Sequence, residues 1–318
     1  MSSLLLRERE PVRQYDSSQL IFEMLGPFQA KRGSVTLELG PPKQRALLAS
    51  LLLHPNHVTS TEQLIDALWG ERYPAYAKNL VQKYVSGIRS AIATDGDARE
   101  DISLTWTGDG YLLQPGEAIV DLYDYERLSS AGVTAALAGE LHRAAQLLDE
   151  ARALRYGTIA EGLDAPLLER ERLYRDERFL ADLELRAEIE VDLGRHRNAV
   201  PHLRCLVHKY PLRERFVWLL MLALYRADRG GEALGVYAEF RSRVSEELGT
   251  DPGPALRSLH ERILRQDPQL MLSSVLMQNG GPEQLRPAVC NRIPSQDSPP
   301  EEGRRGQAGS QAERSPAV

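Results

Sequence analysis

Between Glu71 and Asp95 the chain carries no Asp or Glu, yet it places Arg72, Lys78, Lys83 and Arg89 there. The formal net charge is −6, so this stripe of four cations stands against the overall balance and has the character of a surface that meets phosphate. Interleaved with the cations are Asn79, Gln82, Ser86 and Ser90. Amide, hydroxyl and ammonium groups are the donors and acceptors that match base edges in a major groove, where Asn and Gln pair with adenine and Arg or Lys with guanine. Val81, Val85, Ile88 and Ile92 recur at helical spacing in the same segment. At 100° per residue they form one apolar face, and Asn79, Lys83, Ser86 and Ser90 project from the opposite one, with Gln82 and Arg89 on a flank. Lys43, upstream at the start of another helix, is a further candidate for phosphate.

Other chemistries are weaker. His202, Cys205 and His208 fall at i, i+3 and i+6, but no fourth ligand accompanies them, so no metal is expected. No G-x-S-x-G, H-E-x-x-H, Rossmann glycine fingerprint or G-x-x-x-x-G-K-[ST] occurs, which argues against an enzyme and against a nucleotide or other cofactor. Glu184 and Glu188, near Arg186, read as solvated helix-surface partners of arginine. Trp69 and Trp218 continue apolar helix faces and read as core, whereas Trp106 fits either packing or DNA contact. Cys205 and Cys290 are too few for a disulfide framework and read as free thiols. No apolar run approaches the roughly 20 residues that cross a bilayer, so a cytoplasmic protein with no membrane partner is expected.

The elements that must position these residues follow from periodicity. Residues 1–19 are polar and read as a flexible arm. Residues 20–115 form the first domain. Strands are expected from Ile21 to Phe28 and from Ser34 to Leu39, then a helix opened by Pro41-Pro42 that ends before Pro55. Ser60 and Gln63 make a capping box for a second helix stopped by Gly70, and the cation-bearing helix runs from about Ala75 to Ala93. Two strands around Gly108-Asp109-Gly110 complete three helices and a hairpin, a winged helix-turn-helix whose third helix reads DNA.

Residues 116–267 are helical throughout. Gly139, Gly194 and Asp228 each stand five residues before an alanine, Ala144, Ala199 and Ala233. The last two units are 34 residues apart, the tetratricopeptide period, and the first two 55, which implies an insertion of about 21 residues around Tyr156 to Arg175. An array of helix pairs is the expected second domain, with a surface for other proteins. From residue 268 to 318 there is no Phe, Trp or Tyr, while Pro, Gly, Ser, Gln and Glu accumulate, so a disordered tail is expected, with Leu270 to Met277 as a candidate extension of the last helix by a turn or two.

Several segments together carry a resemblance: Leu25-Gly26-Pro27, Gly40-Pro41-Pro42-Lys43-Gln44-Arg45, Leu64 to Gly70, Val85-Ser86, Gly110-Tyr111-Leu112-Leu113, Pro211 to Arg215, Met221 to Arg226, Glu246 to Gly249 and Asp251 to Pro254. In that order, across both domains, they resemble the Streptomyces antibiotic regulatory proteins. The resemblance implies a mostly α protein: an OmpR-like winged helix-turn-helix (α+β) followed by an all-α, tetratricopeptide-like bacterial transcriptional activation domain. It implies an activator of a secondary-metabolite gene cluster that binds tandem direct repeats in double-stranded promoter DNA, self-associates there and recruits RNA polymerase holoenzyme. Two positions depart from the family. Gly87 stands where an arginine is common in Val-Ser-Arg-Leu-Arg, and Thr107, a wing position counted among the DNA contacts, replaces another arginine. With about 20 residues ahead of the first strand, no receiver domain is expected in this chain.

Overall fold

The computed structural model describes residues 19–93, 102–272 and 274. The expected arm, residues 1–18 of it, and nearly all of the expected tail lie outside the described residues.

Strands β1 (Leu20–Glu23), β2 (Gln29–Arg32) and β3 (Val35–Thr36) form an antiparallel ribbon. A fourth strand, β7 (Ile119–Val120), pairs parallel with β1. Between them in sequence come helices α1 (Pro42–Leu53), α2 (Thr61–Trp69) and α3 (Ala77–Ile92). Strands β4 (Val58–Ser60), β5 (Ser103–Trp106) and β6 (Gly110–Gln114) make a second sheet in the order β4-β6-β5. This is the winged helix-turn-helix expected from the pattern, with β5 and β6 as the wing. The capping box forms as read: Gln63 N–H donates to Ser60 Oγ and Ser60 N–H to Gln63 Oε1.

The helical region comprises α4 (Asp121–Leu137), α5 (Leu141–Ala153), α6 (Pro166–Asp192), α7 (His196–Lys209), α8 (Glu214–Arg226), α9 (Gly230–Leu248) and α10 (Pro254–Leu264). Loops of three residues join α4 to α5, α6 to α7 and α8 to α9, so each pair is a hairpin. The repeat read from sequence has a physical basis here. Gly139, Gly194 and Asp228 all adopt positive φ at the turn of their hairpin, and Ala144, Ala199 and Ala233 are all buried one turn into the second helix. Positive φ at a non-glycine makes Asp228 the strained member of the set.

Two expectations are corrected. The boundary at 267 falls too early: Pro268–Met271 form a 3-10 turn, Leu270 is buried in the core beside α8, and the buried Arg226 donates from Nε to the Leu270 carbonyl. Nor are Glu184 and Glu188 solvated partners of Arg186. Glu184 accepts from Arg213 Nε at 2.8 Å and Glu188, itself buried, from Arg215 at 2.6 Å, while Arg186 binds Asp149 and Glu190. The acids of α6 thus face neighbouring helices, and the ion pairs hold the array together.

The insertion between the first two repeats also has a task. Residues 154–165 lie against the winged helix, where backbone N–H groups of Tyr156, Gly157, Ala160 and Glu161 donate to the carbonyls of Leu25, Met24 and Gly26. Gly26 permits this approach, since a Cβ there would lie 2.1 Å from the Tyr156 ring. Arg172 fixes the inserted segment from beneath by donating to the carbonyls of Ile159, Ala160 and Leu163. One apolar core consequently runs from Phe22, Leu48 and Leu68 through Leu122 and Tyr125 to Ile159 and Leu168. The sequence boundary at 115/116 cuts through this core.

Candidate nucleic-acid interface

Helix α3 buries Ala77, Val81, Val85, Ile88 and Ile92 against α1, α2 and the wing, a stripe that matches the sequence reading. That stripe fixes the helix's rotation, and the opposite face is open: Lys78, Asn79, Gln82, Lys83, Ser86, Arg89 and Ser90 are all exposed. No carboxylate lies on α3 itself. On α2, Glu62 stands 3.8 Å from Lys78, both largely solvated, which makes a weak pair. A helix with free amides, hydroxyls and ammonium groups on one side and a buried stripe on the other can lie in a groove and offer donors and acceptors to base edges.

The structure modifies three of the candidate positions and accounts for the surroundings of Gly87. Lys43 does not join this face: its ammonium donates to the carbonyls of Leu68 at 2.8 Å and Asp164 at 2.9 Å, tying the end of α2 to the loop before α6. Two of its three N–H donors are thus spent on carbonyls of the fold. Sequence type suggested the charge; the partner was 121 residues away. Arg89 is exposed but commits Nε–H to the Leu104 carbonyl at 2.7 Å, so it braces the wing strand against α3. Thr107 closes the wing turn, with both its N–H and its hydroxyl directed at the Gly110 carbonyl. Gly87 faces α1, not the reading side. A Cβ there would lie 2.5 Å from Gln44 Oε1, and the buried Gln44 amide is itself anchored on the Leu39 carbonyl. A side chain at 87 would have to move the end of that glutamine, and the position faces α1, so its departure from the family pattern removes no side chain from the exposed face.

Of the three tryptophans, Trp218 is buried with the Arg215 guanidinium 4.4 Å from its ring centre, and Trp69 is half-buried beside Tyr84 of α3. Trp106 is half exposed on the wing. His202, Cys205 and His208 share α7, where Arg152 and Arg186 beside His202 lower its pKa after burial has done so first. Neighbouring cations disfavour a further one, and no cluster of three or more His, Cys, Asp or Glu side chains suited to a metal occurs among the described residues. Among the same residues no helix is long and apolar enough to cross a membrane.

The seam behind the interface contains one perturbed carboxylate. Asp121, first residue of α4, accepts from the N–H groups of Met24 and Leu25 at 2.7 and 3.1 Å. Burial raises its pKa to about 6, against the opposing pull of those N–H donors.

A winged helix fused through a shared core to a short array of helix hairpins defines a transcriptional regulator with a separate activation domain. Residues 36–113 match the family described as transcriptional regulatory protein, C terminal, and residues 120–264 the bacterial transcriptional activator domain. The regulatory protein DnrI of Streptomyces peucetius is 32% identical over 253 residues, spanning 77% of this chain and 92% of DnrI. The chain belongs to the Streptomyces antibiotic regulatory protein family of transcriptional activators. It is 39% identical over 87% of its length to the regulatory protein AfsR of Streptomyces coelicolor, of which it spans only 27%. A solved structure of Mycobacterium tuberculosis EmbR in complex with a low affinity phosphopeptide is 32% identical and superposes with a TM-score of 0.73 over 80% of this chain and 69% of that one.

Proposed function

We propose that the chain activates transcription by laying α3 in the major groove of promoter double-stranded DNA, bound at tandem direct repeats, with the helix array contacting a second copy and RNA polymerase holoenzyme. The observation that supports this most is the exposed, acid-free face of α3, whose rotation the buried stripe fixes. Asn79, Gln82, Lys83, Ser86 and Ser90 are the base-reading set, with Lys78 and the outer part of Arg89 toward phosphate. Kinship with DnrI and AfsR of Streptomyces supports a secondary-metabolite cluster as the target. Because α3 offers few reading side chains and the chain is acidic overall, one copy gains little non-specific affinity, and two copies on one face of the duplex reinforce each other. Direct repeats demand a head-to-tail contact between unlike surfaces, for which the helix array is the larger candidate.

Footprinting on promoters adjoining the gene tests this reading. Protection of two repeats in the same orientation is expected. Inserting about half a helical turn, roughly 5 bp, between them should abolish cooperativity, and a full turn should restore part of it. Occupancy and transcription indifferent to the half-turn insertion would rule out the tandem arrangement.

A further inference from the structure

The wing has no cation with which to meet DNA: from Ile102 to Gln114 there is no Lys or Arg, and Asp109 carries the only charge. What it offers instead is Trp106, the last residue of β5, whose indole is 50% exposed. Its position follows from the strand. Leu104 points into the core that also holds Ile88 and Ile92 of α3, and two residues on, roughly 7 Å along, Trp106 projects from the same face beyond the core's edge. The ring is not loose. It stands edge-on against buried Tyr111, its cross-strand partner, with ring centres 4.9 Å apart. The strand is held to the reading helix by the Arg89 Nε–H to Leu104 carbonyl bond. Among the described residues the indole Nε1–H donates to no protein acceptor.

A large aromatic braced in one orientation, solvent-exposed, beside a cationic helix face and on an otherwise uncharged hairpin is suited to a surface that is apolar with acceptors at its margin. The deoxyribose–phosphate backbone is such a surface. We propose that Trp106 is the wing's DNA contact, packing its ring on deoxyribose and donating Nε1–H to a phosphate oxygen. This rests on the assignment of α3 as the reading helix. The continuity of β5 with that helix through Arg89 selects duplex DNA over a protein as the occupant. A neutral contact of this kind adds affinity without releasing an additional counterion, so it should be insensitive to salt.

The test uses the full chain and a duplex that it enriches from a random-sequence pool. Trp106→Ala should weaken binding by roughly five- to tenfold with the slope of affinity against salt unchanged, and Trp106→Phe, which keeps a ring but loses the donor, should fall between. Trp106→Arg should recover affinity at low salt and steepen the slope by about one. Because Trp106→Ala removes the Tyr111 contact and could disturb the wing, a second measurement needs no destabilised variant. Tryptophan emission of the unaltered chain should shift on adding the duplex, and in Trp106→Phe, which reports Trp69 and Trp218 alone, that shift should vanish. Unchanged affinity in Trp106→Ala, or a shift retained in Trp106→Phe, overturns the proposal. Failure to enrich any duplex, or enrichment unaffected by Asn79→Ala with Lys83→Ala, would instead remove the reading of α3 on which it depends.

Discussion

The exposed face of α3 and the seam behind it are built from opposite materials. On the face, seven polar side chains are exposed, and among the described residues the inter-element ties are one solvated ion pair at Lys78 and the Arg89 brace to the wing. At the seam, the chain joins β1 and the inserted segment 154–165 by backbone hydrogen bonds, a buried carboxylate, and Arg172 and Lys43 donating to five carbonyls between them. The face leaves its polar groups to solvent; the seam has consumed its own. A contact surface and a structural joint can therefore carry the same residue types, and Lys43 and Lys83 are told apart only by where each ammonium ends.

The comparison is broken most severely by cutting through the seam. A fragment ending at residue 115 keeps all of the winged helix read from sequence but loses β7, Leu122, Tyr125 and the inserted segment that complete its core. It should lack a cooperative thermal transition, whereas residues 19–274 should melt as one unit with the full chain. A fragment 1–115 that unfolds cooperatively and binds DNA would show that the seam is an accessory to a self-sufficient domain. A smaller break is Arg172→Ala, which strips donors from three carbonyls while leaving every apolar contact of the seam in place. A loss of about 4 kcal/mol is expected in denaturant unfolding, and a change below about 1 kcal/mol would mean that water replaces the guanidinium without cost.

Asp121 sharpens the contrast through pH. With a folded pKa of about 6 and an unfolded one near 3.8, the native state holds a proton that the unfolded state has released between those values. Stability from this group is therefore fully present below pH 3.8 and is lost as pH rises through 6, by an amount on the order of 3 kcal/mol. Histidines 54, 196 and 202, with pKa values lowered by burial, act in the opposite sense, so the difference between two proteins is the informative quantity. Asp121→Asn should be less stable than the unaltered chain at pH 4.5, with the gap narrowing toward pH 7. A gap independent of pH would place the carboxylate in contact with water.

What the sequence made legible divides along the same line. The α3 stripe, the Ser60–Gln63 box and the repeat marked by Gly139, Gly194 and Asp228 are local patterns in which a side chain's type announces its environment. The exposed candidates on α3 fall on one face for that reason. The seam left a single trace, the extra residues between Gly139 and Gly194, which reveal an insertion but not its use. Backbone donors at 156–161 meeting carbonyls at 24–26 carry no side-chain signature. Strands β4 and β7, three and two residues long, are too short for alternation to register. Gly87 misleads in a related way: it packs toward Gln44, on another helix, rather than toward the exposed face.

The smallest expected effect belongs to the face itself. Asn79→Ala and Lys83→Ala remove exposed side chains that make no contact needed for packing, and alanine is the better helix former at both positions. Their unfolding free energies should stay within about 0.5 kcal/mol of the unaltered chain. DNA binding should respond differently in each. Lys83→Ala should lower the salt slope by about one if its ammonium neutralises a phosphate, while Asn79→Ala should leave the slope and cost roughly 1–3 kcal/mol of discrimination between bases. Stability that falls in step with binding would mean that α3 is held by its polar side as well, and the division between a face that waits for a partner and a seam that has found one would not hold.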